Sequence, residues 1–494
     1  MVSYSIFEHE HIMPTFRYVE RASEDYKVFL RGVEIPVYTC RISKYPFNRV
    51  WPGEQRPFTQ SEVVSYVNLV SDEPVELMVQ INRKYEKAFL KPCSRAVTLT
   101  ERGNTVSFTL KEHGGYVLGA DDLHRCLYIF NSKPIEAPQK ENVSYYFGPG
   151  VHMPGKMILH SGDSIYVDKD ALVFGCVYAE NARNIHIFGN GILDDTLEGR
   201  LDNGCYEPFT NGNARFYDCS HIRIEGVGFR NSAIWCVSFF HCTDVVVDDT
   251  KVFGQWRYNT DGIDIVNSQN ITVSNAFIHS FDDTISIKGI DRYITTDNEN
   301  ILIENCTLWC DWGRVCEVGL ETACRRYRNI IFRNCDVIRA SHAALDVNCG
   351  DCAEISHILF ENMRVEFNAF DTPMVFQKTD KEEYCAEEEL ATPFLLKVTN
   401  PRWRSPSLFA RFGIPVEYPP ELNLEGIQVA MCHDITFRDI TVYYDENLPT
   451  PEGRFDIPVQ VQSYKEGTTF YNLFAEDFKV IHKDICYPLH MTLL

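Results

Sequence analysis

The sequence predicts an all-β protein, a right-handed parallel β-helix preceded by an N-terminal antiparallel β-sandwich. Three observations carry this. Short segments of one design recur: "NIHIFGNGIL" from Asn184, "HIRIEGVGFR" from His221, "DVVVDDTKVF" from Asp244, "NITVSNAFIH" from Asn270, "NILIENCTLW" from Asn300, "NIIFRNCDVI" from Asn329, "HILFENMRVE" from His357 and "DITFRDITVY" from Asp434. The steps from Asp244 through Asn270, Asn300 and Asn329 to His357 are 26, 30, 29 and 28 residues. Residues 1 to about 140 lack this repeat and alternate with period two instead.

Each repeat opens on a polar residue, runs through alternating β-branched positions, turns, and enters a second short strand. A step of that length leaves no room for a strand–helix–strand crossover with ordinary loops, and the Leu-x-x-Leu-x-Leu signature of a leucine-rich repeat is absent. One coil of a parallel β-helix fits, with equivalent strands stacked about 4.8 Å apart and alternate side chains forming apolar ladders. Cys306 and Cys335 fall in equivalent slots after "EN" and "RN", which reads as a small buried ladder residue. In the first 140 residues, "VELMVQINRKY", "RAVTLTERGNTVSFTLKE" and "RCLYIFNSKP" alternate and are broken by Gly, Asn and Pro, as in a sandwich. The division expected is a sandwich over 1–140 and a β-helix over 141–494, with a long insertion around 367–430 where 77 residues separate His357 from Asp434. Within it, Trp403 and Phe409 suit a cleft cover or a homo-oligomer contact.

A net charge of −22 over 494 residues argues against nucleic acid and anionic membrane surfaces as partners. It says little about a neutral substrate. No run of about 18 apolar residues exists, so no membrane span is expected. The first residues show neither a basic nor an apolar signal region, and the sequence reading expects a cytoplasmic protein. The 18 cysteines show no paired spacing for zinc; Cys349 and Cys352 lack a second half, and reduced, packed thiols are expected. No metal and no cofactor are expected.

The candidate chemistry lies in Asn259–Gly289, "NTDGIDIVNSQNITVSNAFIHSFDDTISIKG". Asp261 precedes Asp282 by 21 residues and Asp283 by 22, about one turn of a stacked coil. The three carboxylates should therefore meet on one face. Asp282 and Asp283 are neighbours and can both reach a groove only at a strand edge or bulge. Acids crowded in this way repel, so at least one pKa should rise. A proton-bearing acid beside an ionised one is what glycoside hydrolysis requires. Turn chemistry is the competing reading, because Asp-Gly is a turn dipeptide and Asp-Asp also occurs at Asp194-Asp195 and Asp248-Asp249.

The order "NSAIWCVSFFHCTDVVV", "NTDGIDI", "DDTISIKG" resembles the polygalacturonases of glycoside hydrolase family 28, over about residues 145–365 and most specifically 231–289. That resemblance implies a right-handed parallel β-helix and hydrolysis with inversion. It further implies that Asp282 is the general acid, and that Asp261 and Asp283 position and deprotonate water. The sandwich before the helix also resembles the dextranases and isopullulanase of family 49, of the same clan, which act on neutral α-glucans.

Two departures bear on substrate. Where the family has Gly-His-Gly, this chain has "GRVCEVGLET", with Arg314 at the His position. Where the family has the Arg-Ile-Lys that binds a uronate carboxylate, the best placement is "ALDV", putting Leu345 and Asp346 near the Ile and Lys positions. An Asp there should repel a uronate, so a neutral sugar is expected. Trp256, Tyr258 and Asn259 lead into Asp261 and suit sugar stacking and binding. His279, Lys288, Arg314 and Glu321 complete the expected substrate-binding set. A polysaccharide lyase, or a β-helix that binds glycans without cleaving them, is the alternative.

Overall fold

The computed structural model describes residues 1–13, 16–44, 58–199, 211–351, 353–370, 374–375, 390–391, 393–400, 431–450, 454–463 and 470–493. The expected insertion, with Trp403 and Phe409, lies mostly outside them. What is described within it includes a regular rung: Phe394–Asn400 pairs in parallel with Ala343–Cys349.

The N-terminal region holds a six-stranded and a five-stranded sheet. Their facing sides share a core in which Val28, Leu69, Leu77, Val79, Val106, Phe108, Leu118, Leu127 and Ile129 are buried. The pairings are antiparallel with one exception, the parallel match of Asp122–Ser132 to Ser61–Ser71. Those two strands are far apart in sequence, so no hairpin constrains their direction.

From Tyr145 to Leu489 the strands form one 29-stranded sheet wound into coils, and from Arg183–Gly189 to Arg326–Arg333 each strand pairs with the strand three further on. This is the expected parallel β-helix. The polar residue opening each repeat has a local cause. Asn184, His221, Asp244, Asn270, Asn300, Asn329, His357 and Asp434 all sit at φ between 52° and 58°. Left-handed backbone is best tolerated by Asn, Asp and His, and disfavours the β-branched residues that follow. Some of these residues also link the coils: Asn300 donates to Asn270, and Asn329 to Asn300, both at 3.1 Å.

Inside the helix the apolar positions stack. One ladder runs Val177, Ala214, Val237, Ile263, Ile285, Cys316, Leu345, Leu396. Each fully buried Val, Leu or Ile contributes roughly 1.5–3 kcal/mol of transfer free energy. Cys306 and Cys335 occupy the interior as expected. Among the described residues no helix is long and apolar enough to cross a membrane.

The six-stranded sheet uses its second side to cover one face of the β-helix. Tyr66, Tyr128 and Phe130 pack there on Phe253, Phe277 and Trp309. Gly115 permits the close approach, since a Cβ there would lie 2.3 Å from the Phe277 ring. Polar ties accompany it. Arg230 bridges buried Glu20 and Asp194, and Lys91 bonds Glu366 and, at 2.7 Å, Asn368. One lateral face of the helix is thereby sealed against ligands.

Candidate active site

The site forms on another face, the sheet whose inner ladder runs from Val177 to Leu396. Alternation sends the residues between ladder positions to the outer side. Main-chain bonds fix the rungs: Cys236 N–H to Asp261 C=O, Gly262 N–H to Asp283 C=O, and Thr284 N–H to Arg314 C=O. Asp261, Asp283 and Arg314 thus hold equivalent places on successive coils. A second outer column reads Ser238, Asp264, Ser286, Glu317, Asp346, Lys397. Lys288 projects one strand position beyond, on the rung after Val266.

Asp282 and Asp283 occupy the turn before Ile285–Gly289, where both can face the groove. Their surroundings differ. Asp283 Oδ1 accepts the Arg314 backbone N–H at 2.9 Å and lies 3.6 Å from Arg314 Nη1, and Asp283 Oδ2 lies 3.8 Å from Lys288 Nζ. Among the described residues, Asp282 Oδ1 accepts only the Asp283 N–H, at 3.0 Å. Burial and the neighbouring Asp283 charge push Asp282 up to about 8. Burial also acts to raise Asp283, but Arg314, Lys288 and a hydrogen bond from Glu317 outweigh it and bring it down to about 2. Adjacent residues therefore hold opposite protonation states across the neutral range.

Lys288 Nζ lies 2.6 Å from Asp261 Oδ2 and 2.7 Å from Asp264 Oδ1, over the Trp235 ring. Burial disfavours its charge, yet Asp261, Asp264, Asp283 and Glu321 hold it firmly protonated. Burial drives Asp261 upward against the pull of Lys288, with Asp264, Asp282 and Asp283 adding to the rise. Asp264 is raised by burial to about 6. Glu317 is raised well above the usual range by burial and by Asp283, which makes it the donor in their hydrogen bond; its Oε2 accepts Ser286 Oγ at 3.0 Å.

Of the residues expected from sequence, Asp261, Asp282, Asp283, Lys288 and Arg314 come together. Asn259 donates to Asp261 Oδ1 at 3.3 Å. Tyr258 lies 5.5 Å from the ring of Trp312, which stacks on Phe281. Glu321 is half-buried within electrostatic reach of Lys288. Trp256 stacks on Phe58 at 5.1 Å, so one of its faces is taken by the N-terminal region.

His279 is a correction. It is fully buried, with Nδ1 2.6 Å from the Tyr128 hydroxyl, Nε2 2.9 Å from Asp311 and its ring stacked on Trp309. Alternation in Phe277–Ser280 does send it outward, but on the face that the sandwich covers. Asp346 is also placed differently from expectation: it is completely buried and does not face the groove.

Sequence reasoning did not single out Asp264, Trp312, Trp235 or Gly313. Asp264 was detectable as a lone acid inside apolar alternation, "GIDIV". Gly313 matters through space: a Cβ there would lie 2.4 Å from Asp283 Oδ1 and 2.6 Å from Asp282 Oδ1.

Among the described residues one trio, Cys176, Asp195 and Glu198, brings metal-ligand atom types within 4.8 Å of one another. Backbone N–H groups already occupy it: Glu198 accepts from Asn211 at 2.6 Å and Gly212 at 3.0 Å, and Asp195 from Ala233 at 3.0 Å. Burial, and after it Glu198, raise Asp195 well above the usual carboxylate range.

Fold and site together define the class as a parallel β-helix with a groove lined by carboxyl groups. Residues 175–400 match the family model described as glycosyl hydrolases family 28, and this part of the chain carries that family's sequence pattern. The chain is 23% identical over 184 residues to probable rhamnogalacturonase A of Aspergillus oryzae, covering 36% of this chain and 37% of that protein. It is 26% identical over 245 residues to exopolygalacturonase B of Aspergillus niger, covering 37% and 53%. The chain thus spans only about a third to a half of the length of these relatives. In fold it is similar to Dex49A from Penicillium minioluteum, with a TM-score of 0.56, 12% identity, and 85% of this chain and 89% of that one covered.

Proposed function

We propose that the chain is an inverting glycoside hydrolase that cleaves oligo- or polysaccharides built of neutral sugars. The observation that carries this is the contrast between neighbours. Asp283 is bound by a backbone N–H and faced by two cations, whereas Asp282 has no cation in contact among the described residues. Asp282 then keeps a proton to give to the glycosidic oxygen as the bond breaks. Asp261 and Asp283, one rung apart, hold a water between them; Asp283, the ionised member, takes its proton as the water attacks the anomeric carbon from the opposite face. Lys288 orients Asp261, while Tyr258 and Trp312 offer aromatic faces at the rim.

The substrate class rests on charge. Seven carboxyl groups, Asp261, Asp264, Asp282, Asp283, Glu317, Glu321 and Asp346, surround Lys288 and Arg314. The relatives' names speak of galacturonan-type polymers, but Lys288 and Arg314 are already engaged by carboxyl groups of the protein, which supports a sugar without a carboxylate. The lyase reading needs an Arg or Lys side chain that has lost its proton and can act as base. The carboxylates Glu317, Asp283 and Asp346 outweigh burial at Arg314 and keep it charged, which counts against that role.

Product analysis tests this. Purified protein incubated with matched panels of neutral and acidic oligosaccharides should release reducing ends from the neutral panel, with no near-ultraviolet absorbance. An unsaturated, absorbing product establishes a lyase instead. Preferential cleavage of oligogalacturonates defeats the neutral-sugar reading.

A further inference from the structure

Beside the acids lies a charge arrangement that the reaction itself does not use. The Arg314 side chain, 20% exposed against 3% for Lys288, is the cation nearer the mouth of the groove. It spans three carboxyls. Nη1 lies 3.6 Å from Asp283 Oδ1, and Nε lies 3.6 Å from Glu317 Oε1 and from Asp346 Oδ2. All three separations exceed hydrogen-bonding distance, so these contacts balance the guanidinium's charge without consuming its donors. Arg314 Nε is buried and, among the described residues, has no hydrogen-bond partner.

Asp346 is the least explained of the three. It is fully exposed to neither solvent nor groove, at 0% relative exposure, and neither of its oxygens accepts a hydrogen bond. Its rung neighbours are Glu317 and Lys397. A buried carboxylate with no hydrogen bond is costly, and removing it should favour folding unless it balances a charge. Burial pushes its pKa up, and two cations oppose that rise, Lys397 on the next rung and Arg314 at 3.6 Å. On the side of the groove its cationic neighbour is Arg314, which it shares with Asp283 and Glu317.

We propose that Asp346 is a specificity-determining residue: it cancels the charge of Arg314 from below, so that the groove reads sugar hydroxyls with neutral-seeming donors and turns away carboxylates. This rests on the neutral-sugar reading above. It differs from direct repulsion, because Asp346 is covered and cannot touch a sugar. Without it, Arg314 keeps Asp283 as its ionised partner, and its charge is less fully balanced toward a carboxylate in the groove.

The test uses Asp346→Asn, which preserves shape, in full-length protein carrying Asp282→Asn to prevent turnover. The probes are trigalacturonate and its fully methyl-esterified form, which share one sugar backbone and differ in charge and in the added methyl groups. Calorimetry should show the ester bound at least tenfold more tightly than the acid before the change at 346. Asp346→Asn should shift that ratio at least tenfold toward the acid, an effect weakened by high salt. A ratio unchanged within twofold overturns the proposal, as does the absence of trigalacturonate binding to Asp346→Asn. Should that variant fail to fold, Arg314→Gln decides. It should weaken acid and ester by the same factor, whereas selective loss of acid binding shows an already uncompensated Arg314 and overturns the proposal. Failure of the function itself is separate: it appears as no cleavage of any neutral oligosaccharide, whatever these ratios are.

Discussion

The ammonium of Lys288 sits 2.6 Å from Asp261 Oδ2, with both residues buried and one coil apart. The same nitrogen holds Asp264 at 2.7 Å, so a single cation organises two carboxylates under the groove. Lys288→Met removes the cation and keeps the bulk. Asp261 and Asp264 are then left as uncompensated buried acids, which typically costs about 3–5 kcal/mol. Asp261 should take up a proton and lose its hold on water. We expect kcat to fall by about two orders of magnitude or more, with a lowered Tm. Steady-state kinetics and thermal melts check this, and a variant of near-normal kcat would mean Lys288 only fills space.

The pH dependence follows from two adjacent residues. Asp282 must carry its proton to act as acid, and it titrates at about 8. Asp283 must be ionised, and it titrates at about 2. Activity should therefore fall as pH rises through about 8 and persist well into the acid range. Stability has the same origin with a definite sign. The folded pKa of Asp282 lies above the ordinary value of about 3.9. Its contribution is therefore fully present below about pH 4 and is lost as pH rises through about 8. Asp282→Asn should have a higher Tm than the wild type at pH 9, with the gap closing toward pH 4. A gap that is constant, or widest at pH 4, contradicts the assignment.

Gly313 is fixed by the acids it adjoins. A methyl group at 313 would meet Asp283 Oδ1, Asp282 Oδ1 and the Asp283 nitrogen, all within 2.6 Å. Gly313→Ala should displace both carboxyls while sparing the apolar ladder. Displacing reacting groups by about 1 Å can cost about a hundredfold in rate. A large drop in kcat with little change in Tm is expected. Loss of fold together with activity would place the strain in the backbone instead.

The repeat was legible because each coil opens at a left-handed residue, so Asn, Asp and His at intervals of 26 to 30 residues mark the coils directly. The meeting of Asp261 with Asp283 was legible for the same reason: their 22-residue separation is the offset that pairs Ile263 with Ile285. His279 was misread because period-two alternation gives inward or outward but not which of the helix faces a separate sheet covers. Tyr128, 151 residues earlier, decides that, and no local pattern connects the two. Asp346 was read as facing the sugar for a related reason. Its column is outward, yet Arg314 from the preceding rung lies across it, an arrangement of side chains rather than of spacing.

The last expectation is stereochemical. A retaining enzyme needs one carboxylate free to bond the anomeric carbon, about 5–5.5 Å from the acid; an inverting one leaves roughly 6.5–9.5 Å for water. Asp261 is poorly suited to be a nucleophile, because Oδ2 is held by Lys288 and Oδ1 accepts from Asn259 at 3.3 Å. Asp283 is similarly tethered through Oδ1 to the Arg314 N–H. Two restrained acids one rung apart suit a shared water better than a covalent bond to sugar. The first-formed product should therefore have the anomeric configuration opposite to that of the bond cleaved. Proton NMR recorded before mutarotation reads this directly. Retention, or a glycosyl adduct trapped on Asp261 or Asp283, would show that one of these tethers breaks during turnover and that the water-holding role belongs elsewhere.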